Sequence, residues 1–257
     1  MKIEKSGIDL LGIQPIGKAV NTTVEKLFQG IEGFLKSVCV PASEELGLMF
    51  RDKIQYWRLK NILQIIEKSK GKLIFQNEQL QIHPRVALGI IDNSSLVDDE
   101  ELQEMWAGLF AASCTKSGQN DENLIFVNLL KQLTVAQAKI LKQSCISVRK
   151  VLYEDGLIGS SECLKTDFYS LMLISEIKEL HRLDRELDYL RHLDLLWSES
   201  GFDDNGIADI TPTSLALNLY VKCQGHNTDP RLYWENELIT VSERKEEIEK
   251  REKQASR

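Results

Sequence analysis

The clearest pattern of apolar and polar positions lies in the middle of the chain. Leu102, Trp106, Leu109, Phe110 and Ser113 recur at i, i+4, i+7, i+8 and i+11, one face of a helical period. The spacing predicts a helix over Asp98–Ser113. Asp98 supplies an N-cap and Glu101 a capping-box partner, while Asp99 and Glu100 suit the positive end of the helix dipole. Ala107, Gly108, Ala111 and Ala112 are small enough for a close helix crossing.

Similar stripes run on both sides. Before it, Ser43 can cap a long helix bearing Leu46, Phe50, Ile54, Trp57, Asn61, Ile65 and Ile66 and stopping near Gly71. Lys68, Lys70 and Lys72 lie at its end, where the dipole favours cations. Leu80 and Ile82 alternate with polar neighbours, as in a short strand or an extended connection. Pro84 then opens a short helix with Val86, Ile90 and Ile91. After the polar loop Gly118–Asn123, one helix carries Phe126, Leu129, Leu130 and Leu133. The next starts at Thr134, with Gln137 as its reciprocal cap and Ala138, Leu141 and Cys145 on its apolar face. Residues 146–166 read as a connection with room for a short helix.

The last third has a different order. Asp167 caps a helix with Leu171, Ile174, Ile177 and Leu180, and Asp184 caps another with Leu187, Leu190 and Leu193. Asp194–Ser198 and Ile207–Ile210 read as two strands of a hairpin around the turn-rich ESGFDDNG, before a helix opened by Thr211-Pro212 with Leu215, Leu219 and Cys223. Helix, helix, hairpin, helix is a winged-helix-like order, with Glu186–Leu193 at the recognition position. The expected fold is mainly α: a multi-helix bundle with a winged-helix-like C-terminal subdomain containing a short β-hairpin. Its divisions are an amphipathic N-terminal arm over 1–42, a helical core over 43–150, the winged-helix-like subdomain over 151–241, and a charged tail over 242–257. The tail has Ile248 as its one large apolar side chain and reads as a solvated or disordered helix.

The arm is interrupted by Gly7, Gly12, Gly17, Gly30 and Gly33, each costing a helix about 1 kcal/mol relative to alanine. It needs a surface to hold it, which is most simply the protein's own body. A released 7–40 segment would offer peripheral membrane contact, although its polar face is not strongly basic. Neither a secretion signal nor a run of about 20 apolar residues is present, so a cytoplasmic location is expected. A net charge of −7 argues against broad nucleic-acid binding and leaves only a local basic patch for it. The five cysteines, Cys39, Cys114, Cys145, Cys163 and Cys223, form no CxxC motif and read as reduced, mostly core-packed thiols.

Motifs that carry chemistry are sparse. Phosphate-binding glycine loops, HExxH and GxSxG are absent, and His83, His181, His192 and His226 are too scattered for metal ligation. Neither metal nor cofactor is expected. Three weak patterns stand out. Glu176-Ile-Lys178 below Asp167 echoes metal-dependent nucleases, but within a helix it reads better as a solvated face. Arg185 and His192 lie seven residues apart, two helical turns, as in all-helical ribonucleases that pair an acid/base histidine with a phosphate-holding arginine. One such pair is cheap to find on a charged helix. Asp203-Asp204-Asn205-Gly206 hints at a calcium loop but lacks its other ligands, and reads as a turn.

The runs DDEELQEMWAGLFAAS and NLIFVNLLKQLTVAQAKILK carry a further signal. They resemble the core of the abortive infection alpha family, in which a Leu-x-x-Met/Phe-x-x-Leu-Leu-Ala helix precedes a Phe-x-x-Ile/Leu-x-x-Leu segment and an Asp/Glu/Gln-Ala-x-x-Leu helix. Leu102, Met105 or Trp106, Leu109, Phe110 and Ala111 match the first. Phe126, Leu129 and Leu133 match the second, and Gln137, Ala138 and Leu141 the third. His83-Pro84-Arg85-Val86-Ala87 resembles the family's Pro-led helix, and LDYLRHLDLLW with ITPTSLALNLYVKC resembles its helix, Leu-Gly-Leu, hairpin, Thr-Pro-x-Gly, helix ending. The resemblance spans about residues 44–223. His192 and Asp194 depart from it near the Leu-Gly turn, and Thr213-Ser214 stand where glycine is usual.

The resemblance implies a bacterial cytoplasmic protein of phage defence and brings no catalytic residues with it. The leading expectation is therefore a non-enzymatic defence protein acting by interaction with a phage or host protein, or as a homo-oligomer. The alternatives are a helical ribonuclease using Arg185 and His192, and a winged-helix DNA-binding regulator. Asp184, Glu186 and Asp188 on the recognition helix would oppose DNA phosphates.

Overall fold

A computed structural model describes residues 55–73, 80–197 and 201–255. The N-terminal arm and the start of the first long helix, including Ser43, Leu46, Phe50 and Ile54, lie outside the described residues. The fold is mainly helical, with ten helices and three small sheets among those described. It divides into two compact units, one ending at Lys131 and one beginning at Gln132.

The first unit is built on a helix that packing has taken over. Helix α1 is Gln55–Lys72, α2 is Pro84–Ser94, α3 is Glu100–Ser113 and α4 is Leu124–Leu130. Every residue from Leu102 to Ser113 except Glu104 is buried, Trp106 and Phe110 fully so. A helix buried on all sides holds its place through area removed from water and through close packing. The adjacent aspartates offer equal caps in sequence, and the chain uses the second. Asp99 has extended backbone and its carboxylate accepts the Leu102 amide at 3.1 Å, so the helix starts at Glu100 and not at an Asp98 cap.

Helix α1 packs along α3. Its lysines do more than complement a dipole: Lys68 and Lys72 reach Glu104 at 3.1 and 3.0 Å across the pair, and Lys70 meets Glu67 within its own helix. Burial pushes the Glu104 carboxyl up, but the two lysines outweigh it and hold it below the usual carboxylate range. Asn61 donates to the Ser95 carbonyl and Arg58 to Ser95 Oγ and Asp92, fastening α1 to the end of α2. The alternation at Leu80 and Ile82 becomes β1, Gln81–Ile82, antiparallel to β2, Cys114–Thr115. Gly118, at φ 63°, closes that pair, because a Cβ there would stand 2.7 Å from the Gln81 side chain. In α4 the expected Leu130 is buried together with Val127, while Phe126 and Leu129 are half-buried; the expected Leu133 is buried just past the helix.

The second unit mixes helices with short strands. Helix α5, Val135–Ser147, opens with the expected capping box: Thr134 Oγ1 accepts the Gln137 amide and Gln137 Oε1 accepts the Thr134 amide. The stretch read as a connection holds strands instead. β3, Lys150–Leu152, pairs antiparallel with β4, Ile158–Ser160. Gly159 makes room there for the Tyr153 ring, which a Cβ would meet at 2.5 Å. β5, Lys165–Asp167, leads into α6, Phe168–Ser175, capped by Asp167 as expected. Left-handed Glu176, at φ 62°, stops α6 before Ile177 and Leu180.

The next helix, α7, is Leu180–His192, so Asp184 lies inside it and caps nothing; Glu179 is the N-cap residue. The expected hairpin also differs. β6, Ile207–Asp209, pairs antiparallel with β5, and the hairpin itself is reduced to two bridges, Leu196 to Pro212 and Phe202 to Ala208, with the Trp197 amide donating to the Thr211 carbonyl. Asp194, at φ 56°, turns the chain sharply between α7 and the hairpin. Its carbonyl accepts Thr213 Oγ1 at 2.6 Å, and Thr213 caps α8, Ser214–Cys223. Helix α9, Pro230–Tyr233, precedes β7, Leu238–Thr240, which joins β3 in parallel. The charged tail is α10, Val241–Ala255. Cys114, Cys145 and Cys223 are buried free thiols and Cys163 is exposed, while Cys39 lies outside the described residues.

Candidate functional site

The carboxylates of the nuclease-like pattern are engaged elsewhere. Asp167 accepts the amide and hydroxyl of Ser170, which hold its carboxyl below the usual range. Glu176 pairs with Lys139 at 2.7 Å and is lowered by that contact. In the DDNG segment, Asp203 accepts the amides of Asn205 and Ile207, and Gly206 takes φ 73°, which makes the expected turn. Among the described residues, no cluster of three or more His, Cys, Asp or Glu side chains could hold a metal ion.

Arg185 and His192 both lie on the exposed side of α7, opposite buried Leu183, Leu187 and Leu190. Seven residues put their Cα atoms about 10 Å apart along the helix. His192 leans on the Tyr189 ring at 5.9 Å, and the Tyr189 hydroxyl donates to Gln132. Glu186, between them in sequence, accepts Thr134 Oγ1 at 2.9 Å and so joins α7 to the start of α5. This face is an open helical surface.

Two features escaped sequence reasoning. The first is a clamp around Lys150, which is 1% exposed. Its ammonium sits 4.1 Å from the Trp234 ring centroid and donates to Glu237 at 2.8 Å and to the Ile146 carbonyl at 3.2 Å. Tyr220 stacks on Trp234, Tyr233 meets both rings edge-on, and His226 stands edge-on to Tyr233. Burial drives the Tyr220 hydroxyl well above the usual tyrosine range. A buried ammonium satisfied by a carboxylate, a carbonyl and a ring face is a structural tie. Beside it runs an open groove of about 400 Å³ lined by Leu152, Arg231, Leu232, Glu235 and β7. The signal for the clamp was the aromatic pair Tyr233-Trp234, which no periodic pattern includes.

The second is α6. Its sequence FYSLMLIS has no charged residue, and only Leu171 and Ser175 are buried. Tyr169 and Leu173, one helical turn apart, are 71% and 76% exposed. Phe168 continues the patch through edge contacts with Tyr169 and Phe202. An apolar helix in an acidic chain, exposed on one side, suits contact with a protein better than with phosphates or anionic headgroups.

A family model described as abortive infection alpha matches residues 58–222, most of the chain. The match takes in α1 to α8 nearly whole, the exposed α6 face, and the Lys150 and Tyr220 half of the clamp; Tyr233, Trp234, Glu237 and α10 fall beyond it. No curated protein and no solved structure matches the chain. No helix of the described residues is long and apolar enough to cross a membrane.

Proposed function

The chain belongs to the abortive infection alpha family, and from that premise we propose that it defends a bacterial host against phage by contacting a protein through α6. The family match carries the defence reading. The exposed Tyr169–Leu173 face supports the mode of action, since it is apolar, uncharged and built on a regular helix. A phage or host protein, acting in the cytoplasm, is the proposed partner.

The ribonuclease alternative keeps Arg185 and His192, both exposed on one face of α7 and so accessible to RNA. It has less support, because Glu186 is tied to Thr134 and nothing described here holds the histidine as an acid or base. The DNA-binding alternative keeps its helix, helix, hairpin, helix order, with Leu196 bridging Pro212 and Phe202 bridging Ala208, but it has less support because Asp184, Glu186 and Asp188 on α7 would oppose DNA phosphates. Expression in a phage-sensitive host tests the defence reading: plating of at least one phage in a broad panel should drop. Unchanged plating across the panel would count against it.

A further inference from the structure

Helix α10 lacks the apolar side that holds the other long helices. From Ser242 to Ala255 its one large apolar side chain is Ile248, which is exposed. The half-buried positions after its first residue, Arg244 and Glu247, are charged. Area removed from water therefore contributes little to its docking.

Two ion pairs take that role. Arg149, between α5 and β3, grips both carboxylate oxygens of Glu247, the Nη2–Oε1 contact being 2.6 Å. Arg251 reaches Glu162, just past β4, at 3.0 Å. Both pairs are open to water, so salt screens them. The helix meanwhile supports itself. Thr240 and Glu243 cap its start, and Glu246–Lys250 and Glu249–Lys253 face each other at i, i+4. Arg244 Nε is buried in the docked position without a hydrogen-bond partner, a cost that undocking removes.

We propose that α10 is a releasable strap. It leaves β3 and β7 as an intact helix pivoting at Thr240, with the Arg149–Glu247 fork as its latch. Glu247 and Arg149 each hold the other's charge, the carboxyl lowered and the guanidinium raised, so the latch stays charged at neutral pH and answers to ionic strength. Release exposes the side of the sheet formed by β3 and β7.

The test is a distance distribution between spin labels on native Cys163, beside Glu162, and on Lys253→Cys, in full-length protein carrying Cys39→Ser. At low salt one short distance should dominate. Near 1 M salt, where screening acts within about 3 Å, the ratio of docked to free helix should fall roughly five-fold. Arg149→Glu should release the helix at low salt, and adding Glu247→Arg should restore the short distance. Glu247→Ala, at a surface position, repeats the test should Arg149→Glu disturb folding. An unchanged distribution in high salt and in these variants overturns the proposal. So does a shift accompanied by loss of helical circular dichroism, because the strap would then unfold.

Discussion

Helices α3 and α10 are of nearly equal length and are held by opposite means. In α3, everything from Leu102 onward except Glu104 is buried, and its position follows from shape and apolar area. In α10 the inward residues after Val241 are charged and both docking ion pairs are wet. Packing in a dry interior is insensitive to salt and intolerant of altered volume. Docking by exposed charge tolerates substitution and yields to salt. The first arrangement fixes a scaffold and the second permits movement. The Lys150 clamp lies between them, a charge buried as deeply as Trp106 or Phe110.

The largest effect should come from the scaffold. Trp106→Ala should cost about 3–5 kcal/mol of unfolding free energy in denaturant titration, equally at low and high salt. A cost near that of a surface mutation would break the contrast. Next, Glu237→Ala strips the buried Lys150 ammonium of its carboxylate and should cost about 2 kcal/mol. Lys150→Met removes the charge but keeps the volume over Trp234, and should cost less than about 1 kcal/mol. The reverse order would mean that the ion pair itself stabilises the clamp. Thr134→Ala should cost about 1 kcal/mol, since it removes the α5 cap and the bond to Glu186 together. The smallest effect is a gain: Asp194→Gly relieves a left-handed aspartate and should raise stability by up to about 1 kcal/mol, read as a small rise in Tm.

What the sequence made legible was local. The Thr134–Gln137 box, the Asp167 cap, the Pro84 helix and the α3 stripe depend on residues within a turn or two of one another, and they form as read. Elements decided at a distance stayed hidden. β3 and β4 are three residues each, too short for an alternation to register, and β3 gains its parallel neighbour from Leu238–Thr240, far along the chain. β6 gains β5 as its neighbour from before α6 and α7, and Ala208 within it also bridges Phe202. Lys150 reads as a surface residue until the ring that covers it is in place. The bland readings of the acidic motifs were legible for a local reason: Asp167 and Asp203 are where a cap and a turn require acceptors. The α6 face was legible as an apolar run, but its exposure was not.

The most direct measurement is phage plating on hosts producing equal amounts of wild type, Leu173→Glu and the Arg185→Ala/His192→Ala double variant, with folding verified by thermal unfolding. Action through a protein contact on α6 requires that Leu173→Glu lose protection while its Tm stays close to wild type, and that the double variant protect fully. Protection retained by Leu173→Glu and lost in the double variant would contradict the account and point to chemistry on α7.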